Sequence, residues 1–424
     1  MEVFSDRMRR VGGFAMTATV ALALVVPPSA GHATTSKAAS PPKGGSRVGV
    51  SRKVIKLGMH MPTTGAVPVE DTAAEQAKDI FFRWLRAKGR KINGRRVRVI
   101  LRNDNTNPSE AVNACKQLVT EEKVFALVGF TGADQMQACA RYAASVRVPY
   151  ISPGSTELRM NALPQTFATT MTWPAQGRLM ADFMVTKLKA RKRVSAIVRH
   201  NAPSSTGLNR SFVRAMRKRD AEVHSRAVPI NANTADATAV VGELDALNVK
   251  NVLVHVTPTF YMQMLRAASQ RNYRPQWTGI DWALQRQGTA TSGCGFNGNL
   301  AGAKFFSPYP ALPDRDRFDK KFDRAMSRFH PGTDGNEVHW GNWAQQKAIA
   351  RLLRLPGRNL TRKRFVYFAE RARKIKTGVG PRIDYRPNDH FGARQVHLNR
   401  VDCTAREWRT KKAFVSDFKR KKRN

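Results

Sequence analysis

Short apolar runs alternate with longer amphipathic stretches along most of the chain, the pattern of strands alternating with helices. The clearest unit runs from Val124 to Thr156. An apolar run (Val124 to Val128) meets a Gly-bearing turn (Gly129 to Gly132), an amphipathic helix (Ala133 to Ser145) and a second apolar run (Pro149 to Ile151). Strand, loop, helix and strand in this order build a parallel sheet. Ahead of it, Val54 to Met59 reads as a strand, Thr72 to Lys88 as a helix with its apolar residues at helical spacing, and Val97 to Leu101 as a strand. Asn107 and Pro108 open the next helix, Pro being tolerated at the first helical position.

From about Phe167 the alternation restarts. Strands are predicted at Val194 to Val198, Glu222 to Pro229, Asn251 to Val256 and Gln276 to Ile280. Between them lie helices at Gly207 to Arg219, Asp236 to Asn248 and Pro258 to Arg271. The expected fold class is α/β, with two doubly wound parallel-sheet lobes. After about Phe305 the chain returns to the first lobe, where Val338 to Leu355 is the strongest helix. A chain of 424 residues exceeds the usual single-domain size, which agrees with two lobes.

The first 33 residues do not belong to this pattern. Arg7, Arg9 and Arg10 precede an apolar stretch (Val11 to Val26) short for a membrane span, and Gly31 to Ala33 offers small residues for cleavage, so residues 1–33 read as an export signal, general or, from Arg9 and Arg10, twin-arginine, with a retained membrane anchor as the alternative. Residues 34–52, rich in Ser, Gly, Pro and Lys, read as a disordered lead-in. The first cysteine is Cys115, so no thiol lies near the signal to take a lipid, and the expected location is periplasmic or secreted without a lipid anchor. Four cysteines in an exported chain suggest two disulfides, for which three pairings exist. Cys115 and Cys139 fall on the helices flanking the Val124 strand, and Cys294 and Cys403 both fall in the second lobe. Those two pairs are expected.

Charge changes the picture most. There are 73 Lys and Arg against 31 Asp and Glu, a formal net charge of +42. Such a field draws a protein to anionic surfaces, and cell-envelope polymers are candidate partners. The basic residues are spread through nearly every helix, with only Lys419 to Arg423 densely clustered, and no RNP-like or zinc-finger motif accompanies them. No specific nucleic-acid partner is therefore expected.

Several pieces together resemble one family: IKLGMHMPTTG (Ile55 to Gly65), INGRRVRVILRND (Ile92 to Asp104), NPSEAVNACKQLV (Asn107 to Val119), FALVGF (Phe125 to Phe130) and VPYISPGSTE (Val148 to Glu157). Their order and spacing are similar to the amino-terminal lobe of periplasmic-type solute-binding proteins of the branched-chain amino acid class, the Leu/Ile/Val-binding components of ABC transporters. DYRPNDHFGARQVHLNRV, reaching about residue 402, looks like the family's closing segment. The resemblance implies the type I periplasmic binding protein fold with a three-crossing hinge, the third crossing near Gly380. With the alternation that restarts near Phe167 and the return near Phe305, this gives lobe 1 at 54–167 plus 306–380 and lobe 2 at 168–305 plus 381–410, and the Lys- and Arg-rich end reads as a basic tail at 411–424. The resemblance further implies delivery of a small solute, an amino acid or an analogue, to a membrane ABC permease; a ligand-sensing or wall-associated polyanion-binding protein on the same fold, without transport, is the alternative. A monomer without a cofactor is expected.

Candidate binding residues sit in loops that leave the carboxyl ends of the strands, where unpaired backbone N–H groups suit a small anion. In the first lobe these are Thr64, Thr131, Ser155 and Thr156, whose hydroxyls can donate. Ordinary turn chemistry is the competing role for Thr64. In the second lobe, Ser204 and His255 lie in such loops. By the resemblance, Asp281 in WTGIDWA falls where amino-acid binders hold an acidic residue for the ligand's ammonium group; a helix N-cap is its other role. The family's amino-acid binders often carry aromatic residues where this chain has Ser204, Ser205, His255 and Thr257, so leucine, isoleucine or valine is not carried over as the ligand. There is no GxSxG, HExxH or P-loop, and the histidines lack metal-ligand spacing. Neither catalysis nor a metal is expected.

Overall fold

The computed structural model describes residues 40–154, 160–161, 163–280 and 287–418. Two sheets organise it, and their strand orders match. The first contains β1 (Val54–Met61), β2 (Arg96–Asn103), β3 (Ala126–Gly129), β4 (Tyr150–Ser152) and β5 (Thr166–Ala168), all parallel, in the order β2-β1-β3-β4-β5. The second contains β6 (Ser195–His200), β7 (Val223–Val228), β8 (Asn251–His255), β9 (Gln276–Gly279) and β10 (Lys304–Ser307), with β11 (Val396–Asp402) and β12 (Glu407–Val415) added antiparallel at one edge. Its order, β12-β11-β10-β9-β8-β6-β7, repeats the first sheet's over the parallel strands. In both, the order reverses where the first strand lies between the second and third, and ligands of open parallel sheets bind outside the carboxyl ends at such points.

Helices cover both sheets. Those of the first half are α1 (Asp71–Ala77), α2 (Ile80–Ala87), α3 (Pro108–Thr120) and α4 (Ala133–Ser145). The second half adds α5 (Trp173–Lys187), α6 (Pro203–Arg217), α7 (Thr234–Ala246), α8 (Pro258–Gln270) and α9 (Gln287–Gly295). After β10 come α10 (Arg315–Asp319), α11 (Lys321–Phe329), α12 (Glu337–Arg354) and α13 (Arg362–Glu370). Local signals set many boundaries. Asn107 accepts from the N–H groups of Ser109 and Glu110 to cap α3, and Asn233 with Asp236 forms a reciprocal capping box on α7.

The stretch predicted as one helix from Thr72 to Lys88 is two, α1 and α2, broken at Lys78 and Asp79. Gln346 of α12 enters the break. Its Nε2 donates to the carbonyls of Ala77 (2.8 Å) and Lys78 (3.0 Å), and its Oε1 accepts from Phe81 N (2.9 Å). A residue 265 positions away thus satisfies the backbone groups that the interruption frees, which no local pattern announces.

The chain returns to the first lobe after β10. Val338, Ala348, Ile349, Leu352 and Leu353 of α12 and Phe365 of α13 share one core with Ile55, Leu57, Phe125 and Val128. Ile383 and Tyr385 join that same core, and His390 bonds the backbone of β5. The chain therefore leaves the first lobe between Ala393 and β11, about a dozen residues beyond the Gly380 expected from the resemblance. The basic tail expected from 411 starts inside β12, and Phe418 packs into the core beneath β6 and β10 with Phe183 and Phe306. Lys419 to Arg423, the segment assigned as signal and residues 34–39 of the lead-in lie outside the described residues. Residues 41–52, expected to be disordered, instead dock on the first lobe. Thr361 Oγ1, 317 positions away in the sequence, donates to the Gly44 carbonyl (3.0 Å), Arg362 N donates to the Ser46 carbonyl (2.9 Å), and Val50 packs against the core.

Both expected disulfides are present. Cys115–Cys139 joins α3 to α4 under the first sheet, and Cys294–Cys403 joins α9 to the β11–β12 turn. No helix among the described residues is long and apolar enough to cross a membrane.

Candidate functional site

The two order-reversal points face each other and are joined directly. In the first lobe, β3 ends at Gly129 and the chain passes through Phe130, Thr131 and Gly132 into α4. Gly132 takes a left-handed backbone (φ 80°) and caps α4 without a side chain. In the second lobe, β6 ends at His200 and Pro203 starts α6, with Ser204 in its first turn. The Asp134 carboxylate accepts from Ser204 N through Oδ1 and from Ser204 Oγ through Oδ2, each at 3.0 Å. A negative group from one lobe thus sits at the positive end of a helix in the other.

Beside this bridge the second lobe builds a neutral wall. His255, the last residue of β8, is 5 % exposed and meets the Trp173 ring edge-on at 4.1 Å between centroids. Burial first, then the neighbouring His200 and Arg199, push its pKa down to about 3, so the ring is neutral at physiological pH. Its Nδ1 has no hydrogen-bond partner among the described residues, an unmet polar atom at a strand end. His200 is satisfied by contrast. Its Nε2 accepts from Thr257 N (2.7 Å), which leaves Nδ1–H to donate to the Pro229 carbonyl (3.0 Å).

On the first-lobe side, Ser152 and Gly154 lie against the segment that crosses into the second lobe after β5. Gly154 N donates to Thr170 Oγ1 at 2.5 Å, and Thr169 Oγ1 donates to the Ser152 carbonyl at 3.1 Å. A Cβ on Gly154 would lie 2.5 Å from the carbonyl oxygens of Thr170 and Met171, so only glycine allows this approach. The Ser152 hydroxyl is buried and, among the described residues, unpartnered. The spaces between the lobes lined by Tyr309 are narrow, holding about 20 Å³ beside Ser307 and Trp340.

Thr131 is half-buried at the exit of β3, three residues before Asp134, and Ser204 and His255 stand at the carboxyl ends of β6 and β8, so all three lie at strand ends on the two sides of the Asp134–Ser204 bridge. Thr64 takes the competing role. Its hydroxyl donates to Asn105 Oδ1 (3.0 Å) and accepts from Asn103 Nδ2 (2.6 Å), closing a turn with the loop after β2. Ser155, Thr156 and Asp281 lie outside the described residues. Asp134 and Ser152 fell inside the two loops expected to face a ligand, Phe130 to Asp134 and Ser152 to Glu157, without being singled out, and Trp173 was passed over. An acid in the first turn after a glycine cap was the available signal for Asp134. Trp173 had none, because it stands at the start of a helix that only the crossing carries to the cleft.

One buried group beneath the site is structural. His60 Nδ1 lies 2.8 Å from Asp104 Oδ2 and its Nε2 lies 2.8 Å from Tyr150 Oη, all three fully buried. Tyr150 Oη occupies the place where a Cβ on Gly129 would stand, 2.1 Å away. The His60 ring and the sulfurs of Cys115 and Cys139 come within 4.8 Å of one another, but the sulfurs are bonded to each other and are not thiolate ligands.

Residues 54–407 match the model of the family described as Periplasmic binding protein, most of the chain. The chain belongs to that family. Solved structures agree in fold over nearly their whole length. A leucine-binding protein from Thermotoga maritima is 17 % identical, with a TM-score of 0.70 over 85 % of this chain and 98 % of that one. A fatty acid ABC transporter substrate-binding protein from Thermomonospora curvata is 18 % identical, with a TM-score of 0.73 over 89 % and 97 %. A solute-binding protein of an ABC transporter from R. palustris, in complex with benzoate, is 14 % identical, with a TM-score of 0.69 over 86 % and 98 %. No curated protein sequence matches the chain. As a family member the chain is extracytoplasmic, and its two parallel-sheet lobes are the type I fold expected from the sequence.

Proposed function

We propose that this chain is the extracytoplasmic solute-binding component of an ABC importer, holding an amino acid or similar small polar solute between its lobes and delivering it to a membrane permease. The observation that carries the reading is the Asp134–Ser204 bridge, which ties the two switch points together where such folds take their ligands. The site binds rather than catalyses. Thr131, with Ser155 and Thr156 from the loop after β4, offers hydroxyls and helix N–H groups to a carboxylate or similar anion. Asp281, following β9 in sequence, supplies the counter-charge for an ammonium group. His255 and Trp173 contribute a neutral aromatic wall that suits the uncharged part of the solute. The structures compared were named for leucine, fatty acid and benzoate, so the fold itself does not choose the solute. The exported chain acts as a monomer without a lipid anchor.

The test is a thermal-shift screen of the exported chain against amino acids, amides, short peptides, aromatic acids and urea at moderate salt. One solute should raise the melting temperature saturably, by the mass action of a ligand that binds only the folded state. Replacing Ser155 and Thr156 with Ala and Asp281 with Asn should abolish that rise. If these variants keep the wild-type response, the residue assignment is wrong.

The bridge gives a second expectation. Asp134→Ala removes two hydrogen bonds to a carboxylate and should favour the open arrangement of the unliganded chain by roughly ten-fold. Small-angle X-ray scattering should record a larger radius of gyration for the variant. Identical scattering curves would show that Asp134 does not hold the lobes together.

A further inference from the structure

We propose that the first lobe carries a second binding site, on the flank formed by α2, α11 and α12, for a ligand with closely linked phosphate groups. A cavity of about 650 Å³ lies there and shares no lining residue with the strand ends of the cleft. Three elements direct cations at it: Lys88 and Arg90 from the turn after α2, Lys321 and Arg324 from α11, and Arg351 and Arg354 from α12. Among the described residues none of these six is ion-paired with a carboxylate. The one acid in the lining, Asp319, is already held by Lys347 Nζ at 2.5 Å and Trp343 Nε1 at 3.0 Å. Phe81, Trp84 and Leu85 form an apolar floor. Some arginines elsewhere on the surface find partners, Arg102 with Glu122 and Arg394 with Asp389 among them, but with 73 Lys and Arg against 31 Asp and Glu most cannot; what sets this cavity apart is that three elements converge their cations on one space.

Concentrating six unpaired cations without carboxylates is unfavourable in the absence of an anion. The strain shows in the groups themselves. Burial first, and then Arg351 and Arg90, hold the pKa of Arg354 below its ordinary value. Burial likewise lowers Lys347, where Asp319 offsets and Lys321 with Arg351 reinforces the effect. A chloride or monocarboxylate neutralises one of six charges. Linked phosphates deliver more charge in the same volume, since a terminal phosphate carries about −1.5 to −2 at neutral pH. Their tetrahedral oxygens also suit the forks of Arg90, Arg324, Arg351 and Arg354, which bind oxyanions in pairs of hydrogen bonds.

A generally basic protein attracts polyanions anywhere, so the test needs a matched control. Arg210, Arg214 and Arg217 line an exposed groove on α6 with no second element facing them, and replacing these three removes the same charge as replacing three arginines of the site. Tripolyphosphate titrated into the full exported chain by calorimetry at physiological salt should saturate a single site. The triple variant Arg90→Gln, Arg324→Gln, Arg351→Gln should weaken binding at least about ten-fold and flatten its salt dependence. The triple variant Arg210→Gln, Arg214→Gln, Arg217→Gln should change it by no more than about three-fold, as for exposed, unstructured charge. Equal losses in both variants, or uptake that never saturates, would overturn the site in favour of diffuse attraction. A poly(glycerol phosphate), with one charge per separated phosphodiester, should compete only weakly. Competition equal to tripolyphosphate would refute the preference for linked phosphates. Should the triple variant fail to fold, Arg324→Gln alone, at an exposed position, carries the same comparison against Arg214→Gln.

Discussion

Between pH 6.5 and pH 4 the folded chain is expected to lose on the order of 5–10 kcal/mol of stability, enough to unfold a typical domain. Three buried histidines are responsible. Desolvation lowers His255 and His397 to about 3, and desolvation followed by the neighbouring His330 lowers His339 to about 4. His397 Nε2 keeps a hydrogen bond to the Val379 carbonyl at 3.0 Å, which opposes the shift without overcoming burial. The sign follows from proton counting. About a pH unit or more above the ordinary histidine pKa of ~6.5, neither the folded nor the unfolded state binds these protons, and stability is at its full value. Below it the unfolded chain protonates at the ordinary histidine pKa while the folded chain does not, so each histidine removes up to about 1.4 kcal/mol per pH unit. The loss continues until the pH reaches the folded pKa of about 3 to 4. Urea unfolding at successive pH values measures this directly. The unfolding free energy should fall steeply through the window, and His397→Gln should reduce the slope by about one proton. A flat profile from pH 6.5 to 4.5 would show that these rings are not held neutral.

Removing the disulfide between Cys294 and Cys403 is the second large effect. It closes a separation of 109 residues against 24 for Cys115–Cys139. Chain-entropy reasoning assigns about 5 kcal/mol to the longer loop and about 3.5 kcal/mol to the shorter. The longer loop also ties α9 to the segment that returns to the second lobe after the last crossing, so its loss frees β11 and β12 together. Exposure orders their chemistry as well. Cys115 and Cys139 are fully buried, while Cys294 and Cys403 are half-buried, so mild reductant should open Cys294–Cys403 first. Mass spectrometry after thiol trapping would identify the first pair released. The variant with Ala at 294 and 403 should melt well below the parent and below the variant with Ala at 115 and 139. The reverse order of stabilities would show that loop length does not govern this fold.

What the sequence alone determined was everything carried by local period and punctuation. Alternating apolar runs and amphipathic helices specified two α/β lobes, because a parallel strand buried on both faces and a helix buried on one leave different periods in the chain. Asn-Pro before α3 and the glycine turn before α4 placed helix starts, since caps satisfy backbone groups within a few residues. The cysteine pairs followed from which helices flanked one strand and which residues shared a lobe. That Thr131, Ser204 and His255 stand near strand ends was legible, because the carboxyl edge of a parallel sheet is fixed by strand direction, but only Thr131 is a loop residue: His255 closes β8 and Ser204 lies in the first turn of α6.

The tertiary structure decided what depends on partners distant in the chain. Gln346 repairs the break between α1 and α2, and Asn103 and Asn105 withdraw Thr64 into a turn. Asp134 became a bridge only because the sheet orders of two lobes bring residue 204 to it. Trp173 reached the cleft through the crossing, and His255 became neutral through burial that no neighbour in sequence supplies. Six scattered cations became one cavity lining because three helices pack side by side. Period and capping act over a few residues, whereas burial, charge pairing and cleft geometry sum over whatever the fold brings together, and that sum is absent from any single stretch of the chain.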